Sequence, residues 1–401
     1  MLDEPLRSRD VPTPMVNGDW GKSYEFSQLP SLMEKFRDKL NIAVIYGGDR
    51  GREGAVVYPT NLPRNGESQE IAAANIADSL GRNGFKNVEL FAEDICLGQR
   101  LRENNIHFAW NSSTGVQGEN PSCHLPALLE MAGIPYVGHG PLNASILGQK
   151  HSFKRELHNA GIPTAPYITW DSARGPFLPE INSRFWVAFG DGSGPFVVKP
   201  VHGCDARNLR LLNKAEDLSA AVSEVYLATK NLVLVERFLP GREFSISVCG
   251  PVISRGGELV ISTNPFTFSV LECVHEPDQP FFVQDDAQKL NGTLHPVSVS
   301  AEPELYEGLT ALAQRIFLDF NVQTLARIAV RADADGHLHV LKINPMPDIG
   351  APGSEAENRV CAGIGEHGMA YDELVMSLLA DRIDYYLSHK MHAAQHLWSL
   401  R

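Results

Sequence analysis

The sequence predicts an α/β protein of two or three domains, the first built around a parallel sheet. Three observations carry this expectation. At 401 residues the chain can bury more than one core. From Asn41 onward, strand-like apolar runs alternate with an amphipathic helical segment, the order that sets parallel strands side by side with a site at their C-terminal ends. Far along the chain, Leu325 to Pro347 (LARIAVRADADGHLHVLKINPMP) reads as a β-hairpin. Two runs rich in Val, Ile and Leu flank Asp333-Ala334-Asp335-Gly336, and Asp-Gly between alternating hydrophobics is a strong turn signal.

Residues 1–40 lack periodicity until about Gln28. A short helical segment, Leu32 to Leu40, follows, and the whole reads as an extension with little functional content. Then comes NIAVIYGG, a buried strand ending in Gly47-Gly48, a pair that fits a tight turn where a Cβ would clash as well as a ligand contact. Glu70 to Gly84 is the amphipathic helix, VELF the second strand and HFAW the third. Ile134-Pro135-Tyr136 gives a further strand, with Lys150 on the next helix. Phe196-Val197-Val198 form a strand with Lys199 at its end. A lysine there must find an anion or bear a desolvation cost on the order of several kcal/mol. Glu236 ends one strand and Glu243 begins the next across Leu239-Pro240-Gly241-Arg242. Leu305 to Asn321 is an amphipathic helix leading into the hairpin. The expected division is an extension over 1–40, an N-terminal α/β domain over 41–145, a central domain over 146–245 and a C-terminal domain over 246–401.

Hydrophobic content of 43% and charged content of 21% are ordinary for a soluble globular chain. A net charge of −13 argues against nucleic-acid and membrane-surface partners, which call for a basic face. The six cysteines are scattered without a C-x-x-C pair, as in reduced cytosolic proteins. No apolar run reaches the ~18–20 residues of a membrane span. The polar segment MLDEPLRSRD is unlike a signal peptide, so the expected compartment is the cytoplasm.

The hairpin resembles the metal-binding hairpin of the ATP-grasp ligases, close to the D-alanine–D-alanine ligase family. That pattern runs R-x-D on one strand and E-x-N-x-x-P on the next. Arg327, Asn344 and Pro347 match it, whereas Ala329 and Lys342 stand at the two acidic positions. Other stretches resemble the same family. They include Leu125 to Tyr167, with LLE-x-x-GIPYVG and a lysine-bearing helix, Gly194 to Leu212, and Asn231 to Gly250. Ser354 fits the loop after the hairpin, and Gly368 to Leu374 fits the start of the helix beyond it. The resemblance covers about Asn41 to Tyr386. It implies an ATP-grasp architecture in which the central and C-terminal α+β domains clasp a nucleotide cleft, with ATP or ADP as cofactor. Lys150, Lys199 and Lys289 would reach phosphates, the last through a loose match at Phe281 to Lys289. Glu236, Phe238 and Glu243 would hold adenine and ribose. Arg327 would grip the oxyanion of an amino-acid-like substrate, a carboxylate being well suited to guanidinium. A homodimer, common in that family, is one assembly the resemblance allows, and the sequence leaves the oligomeric state open.

The departures fall on the chemistry. Magnesium prefers octahedral oxygen ligands, and phosphoryl transfer relies on it to bridge phosphates. Ala329 offers no oxygen, Lys342 would oppose a cation, and Asn344 is at most one ligand, so no magnesium site is expected. Asp333 and Asp335 are the alternative metal ligands, but in the hairpin turn they read first as its caps. The loop after Lys199 holds Gly203-Cys204-Asp205-Ala206-Arg207-Asn208 where the family has E-G-S-S-x-G. Asp205 would repel a phosphate by about 1–4 kcal/mol. Alanine for aspartate adds one positive unit, lysine for glutamate adds two and Asp205 removes one, which leaves the charge of one magnesium ion. Lys342 is therefore expected to act as a fixed cation in an anion-binding cleft, beside Arg327 as the second catalytic candidate. In Trp110-Asn111-Ser112-Ser113-Thr114-Gly115, Thr114 replaces an acid of the family's F-N-x-x-E-G, which changes first-substrate recognition. His202 with Cys204 is a speculative nucleophile pair. The functional expectation is an ATP-grasp protein acting on a small carboxylate- or amine-bearing substrate, with Mg·ATP chemistry impaired or replaced. The alternatives are a working carboxylate–amine ligase with an unusual metal site and a non-catalytic nucleotide-binding pseudo-ligase.

Overall fold

The computed structural model describes residues 24–48, 66–118, 120–202, 208–275, 292–354 and 359–401. The first layer comprises α1 (Leu29–Lys39), β1 (Asn41–Tyr46), α2 (Gly66–Arg82), β2 (Asn87–Ala92), α3 (Leu97–Glu103), β3 (Phe108–Asn111), α4 (His124–Ala132) and β4 (Tyr136–Val137). Its strands are parallel in the order β2–β1–β3–β4. The run IAVI is buried on both faces because alternate residues serve two cores. Ile42 and Val44 pack with Phe36, Ile76 and Leu80, while Ala43 and Ile45 pack with Leu97, Leu101, Leu125 and Leu129. The chain leaves β1 for β2 on one side and β3 on the other, so a topological switch point lies between β1 and β3. Helix α1, read from sequence as part of an extension, is a packed element: Leu29 and Phe36 are fully buried in the core it shares with β1.

The middle layer follows with α5 (Pro141–Gly148), α6 (Lys150–Asn159), β5 (Tyr167–Trp170), α7 (Ser183–Phe189), β6 (Phe196–Pro200), β7 (Arg210–Leu212), α8 (Leu218–Thr229) and β8 (Val233–Arg237). The sheet order is β5–β8–β6–β7, antiparallel throughout. Period-two alternation divides its faces. Ile168, Phe196, Val198, Val233 and Val235 join Phe185, Phe189 and Val222 in one core. Tyr167, Val197, Lys199, Leu234 and Glu236 lie on the other face.

The last part holds β9 (Glu243–Cys249), β10 (Val252–Arg255), β11 (Glu258–Ile261), β12 (Phe266–His275), β13 (Gly292–Pro296), α9 (Pro303–Asp319), β14 (Ala326–Ala332), β15 (Leu338–Asn344), α10 (Tyr371–His389) and α11 (Gln395–Ser399). Five strands form an antiparallel sheet in the order β13–β12–β9–β14–β15, and β10 pairs with β11. A domain boundary after residue 245 would fall inside β9. Phe244, Ile246, Val248, Ile328, Val330, Val340 and Ile343 pack on Leu309, Ala313 and Ile316 of α9 and on Phe153 of α6. Val340 and Ile343 are three residues apart, and a regular strand would send them to opposite faces. A register shift between Ala329 and Val330 leaves Leu341 as the extra residue and brings both into the core. Of the two expected turn caps Asp333 acts as one, its Oδ1 accepting from the amides of Asp335 at 3.0 Å and His337 at 2.9 Å, while Asp335 takes part through its backbone. Among the described residues no helix is long and apolar enough to cross a membrane, and the described cysteines are free thiols.

Candidate functional site

The core-forming alternation leaves a polar face on the five-stranded sheet. On β14 it carries Arg327, Ala329 and Arg331. Their partners on β9 are Ser247, Ser245 and Glu243, and on β15 they are Asn344, Lys342 and His339. Across the hairpin this face therefore presents two arginines, a lysine, an imidazole, an amide and a methyl group, without a carboxylate. The Asn344 Oδ1 accepts from Met346 N at 3.1 Å, an Asx turn that occupies one lone pair. The Ser245 and Ser247 hydroxyls are fully buried and find no hydrogen-bond partner among the described residues. Of the side chains on the two hairpin strands, Asn344 alone offers an oxygen of the kind magnesium prefers.

Facing it, the middle sheet carries a buried charge cluster. Glu236, at 3% exposure, pairs with Lys199 through Oε1 and with Lys154 at 3.1 Å through Oε2. Lys154 is fully buried, lies 5.3 Å over the Tyr167 ring and donates to Thr164 Oγ1 at 2.6 Å. The Thr164 hydroxyl in turn donates to the Val340 carbonyl at 2.7 Å, joining α6 to β15. Burial alone would raise the Glu236 carboxyl, but Lys154 and then Lys199 outweigh it and hold the group well below the carboxylate range. Burial, with Lys199 adding to it, lowers Lys154 against the pull of Glu236. The anion that Lys199 was expected to need is thus supplied first by the chain itself. Lys150 opens α6, and its Nζ donates to the Pro200 carbonyl at 3.2 Å at the end of β6.

The two sheets meet at Arg331, a residue of 3% exposure. Its guanidinium lies 4.5 Å over the Phe238 ring, with Nη1 3.3 Å from Glu243 Oε2 and Nε donating to the Gly241 carbonyl at 3.3 Å. Desolvation pushes this guanidinium below its usual range, and Glu243 and Glu236 oppose the shift. All three residues expected on the adenine and ribose side are therefore engaged within the chain: Glu236 by two lysines, Phe238 and Glu243 by Arg331.

At the β1–β3 switch point, Gly47 N donates to Gln69 Oε1 at 3.0 Å, and Gln69 Nε2 reaches Thr114 Oγ1 at 3.2 Å. A Cβ on Gly48 would come within 2.1 Å of the Glu93 backbone carbonyl, so close packing accounts for that glycine, whereas one on Gly47 would meet the movable end of the Gln69 side chain. The Ser113 hydroxyl donates to Glu93 and accepts from Gly115 N at 3.0 Å. Burial pushes the Glu93 carboxyl up to about 7 although the Ser113 bond lowers it.

Lys289, its surrounding segment and the loop 203–207 with Cys204 and Asp205 lie outside the described residues. Lys154, Arg331 and Glu93 were not singled out from sequence. Lys154 stands four residues after Lys150, on the same side of a helix, and Arg331 continues the every-second-residue series from Arg327. Both signals were readable. Glu93, after an apolar strand, carried none.

A family model described as "D-ala D-ala ligase C-terminus" matches residues 157–380, more than half of the chain. The "Uncharacterized protein y4sG" of Sinorhizobium fredii is 28% identical over 242 residues, which are 60% of this chain and 65% of that protein. A D-alanine–D-alanine ligase of Synechococcus sp. (strain JA-3-3Ab) is 25% identical over 283 residues, 70% of this chain and 78% of the relative. Among solved structures, a D-alanine–D-alanine ligase from Bacillus anthracis complexed with ATP is similar in fold at TM-score 0.60 and 16% identity. That match covers 86% of this chain and 97% of the other. D-alanyl-alanine synthetase A from Vibrio cholerae gives 0.61 at 18% identity, covering 86% and 99%.

Proposed function

The chain belongs to the D-alanine–D-alanine ligase family, and on that premise we propose that its cleft holds a small phosphate- or carboxylate-bearing ligand with fixed cations in place of magnesium. Mg·ATP-driven joining of a carboxylate to an amine is impaired or replaced, and the substrate is a small amino-acid-like molecule. One observation carries the reading: Lys342 is the direct register partner of Ala329 on the cleft face, between Arg327 and Arg331. An ammonium supplies to an anion part of the neutralisation that a divalent ion would supply, and at the same place it opposes that ion. Arg327 presents a planar fork suited to a carboxylate or phosphate oxygen pair, while Lys150 from α6 and Lys199 from the other sheet, the latter already paired with Glu236, add cations.

The test is calorimetric titration of pyrophosphate and ADP with excess EDTA, then with Mg²⁺. Saturable binding of pyrophosphate in EDTA, unchanged by Mg²⁺, is the expected result. Binding of either ligand only when Mg²⁺ is present would overturn the reading. That outcome would favour the second one, a working carboxylate–amine ligase with an unusual metal site, which the ligases among its relatives support.

A further inference from the structure

We propose that Arg331 is an internal competitor for the base-binding end of the cleft, so that the protein favours anions without a nucleobase. The proposal deepens the anion-cleft reading and rests on it for the position of the ligand. A guanidinium is flat, stacks on aromatic faces and donates hydrogen bonds in its own plane. Arg331 makes contacts of these kinds: its Cζ lies 4.5 Å over the Phe238 ring centroid, and Nη1 and Nε reach Glu243 Oε2 and the Gly241 carbonyl, both at 3.3 Å. A purine with an exocyclic amine would bring the same three features to the same three groups, a π-face to Phe238 and donors to a carboxylate and a carbonyl.

Arg331 is not a passing surface side chain. Its Cα is the register partner of Glu243, and 3% exposure leaves it sealed between the sheets. A base that stacked on Phe238 would have to expel a buried cation and strand Glu243. The gain from stacking is then offset by the loss of a cation–π contact and a charge-assisted hydrogen bond of similar size. The cationic end is separate: Arg327 lies four residues farther back along β14, about 13 Å at the rise of an extended strand, and Lys342, across from Ala329, about half as far. An anion can occupy it without disturbing Arg331.

The experiment separates base from phosphate. Adenosine, pyrophosphate and ADP are titrated into the wild type, Arg331→Met and the double variant Arg331→Met with Glu243→Gln, which removes both charges together and guards against misfolding of the single variant. In the wild type ADP should bind no more than about threefold tighter than pyrophosphate, and adenosine should not saturate. In the variants adenosine should gain about tenfold or more, the worth of one base stacked on an aromatic ring. An ADP advantage above about tenfold in the wild type overturns the proposal without any variant. So does a folded variant whose adenosine affinity is equal or weaker. Failure of pyrophosphate to bind while adenosine gains would instead remove the anion-cleft reading and leave the role of Arg331 standing.

Discussion

Lys199 illustrates how far a single residue can be read. An ammonium at the end of an apolar strand demanded an anion, and the demand was correct, but the nearest anion is Glu236, which also serves Lys154. The sequence separates these three by tens of positions, and only the pairing of β6 with β8 and the packing of α6 bring them together. Glu236→Gln leaves two lysines sharing no carboxylate, one of them fully buried. It should cost about 3–5 kcal/mol, read as a fall in the urea midpoint at unchanged slope. Glu93 gives a pH-dependent case. Its carboxyl stands at about 7 in the fold against an ordinary 4.5, so between those values the folded chain holds a proton that the unfolded chain has released. Its contribution is complete below the unfolded value and is lost as pH rises through the folded one. From pH 5 to pH 8 the wild type should lose about 2–3 kcal/mol relative to Glu93→Gln, measured by urea unfolding of both at each pH. A slope equal in the two proteins would show that Glu93 does not carry the proton.

At the scale of elements, legibility followed periodicity. The strand NIAVIY, the helix 305–321 and the hairpin all carry clean apolar spacing, and each forms close to where it was expected. What could not be read was the bulge at Leu341, because a spacing of three between Val340 and Ile343 suits a helix as well as an irregular strand. Helix α1 was undervalued for a related reason: its apolar residues are spaced for packing, but against β1 and α10 rather than within a motif. The hairpin is also where a metal site can be engineered. Ala329→Asp with Lys342→Glu places two carboxylates on one face as register partners, next to Asn344. The pair should create a Mn²⁺ site of submillimolar affinity that the wild type lacks, seen as loss of free-ion signal in electron paramagnetic resonance. It should also make ADP binding sensitive to EDTA. Equal Mn²⁺ uptake by both proteins would show that ligands other than these two positions hold the ion.

Across the whole molecule, α10 connects what the sequence suggested as separate domains. Leu374, Val375, Leu378 and Leu379 share one core with Ile42 and Val44 of the first sheet and with Phe268 of the last. Polar groups reinforce the seam. His139, fully buried, bonds through Nε2 to the Leu325 carbonyl at 3.3 Å, and burial lowers it to about 4, so it stays neutral at physiological pH. Arg382 donates to the Tyr136 carbonyl of β4 at 3.3 Å and to the Gln323 carbonyl, just ahead of β14, at 2.9 Å. Its guanidinium also lies 4.4 Å from the Tyr385 ring centroid. Such a seam, apolar and hydrogen-bonded at once, should make the first layer and the five-stranded sheet melt together. The middle sheet is joined to β15 by the Lys154–Thr164–Val340 bonds and by α6 packing. Arg382→Met keeps the apolar stem but takes the Arg382 donors from one buried and one half-buried carbonyl, a loss of about 2–4 kcal/mol. Hydrogen exchange should then quicken in β1, β3 and β14 alike, while Thr164→Val should quicken it in β5, β6 and β8 alone. Exchange confined to β4 and the 323–325 segment in Arg382→Met would mean that the seam is a local contact and that the two sheets open independently.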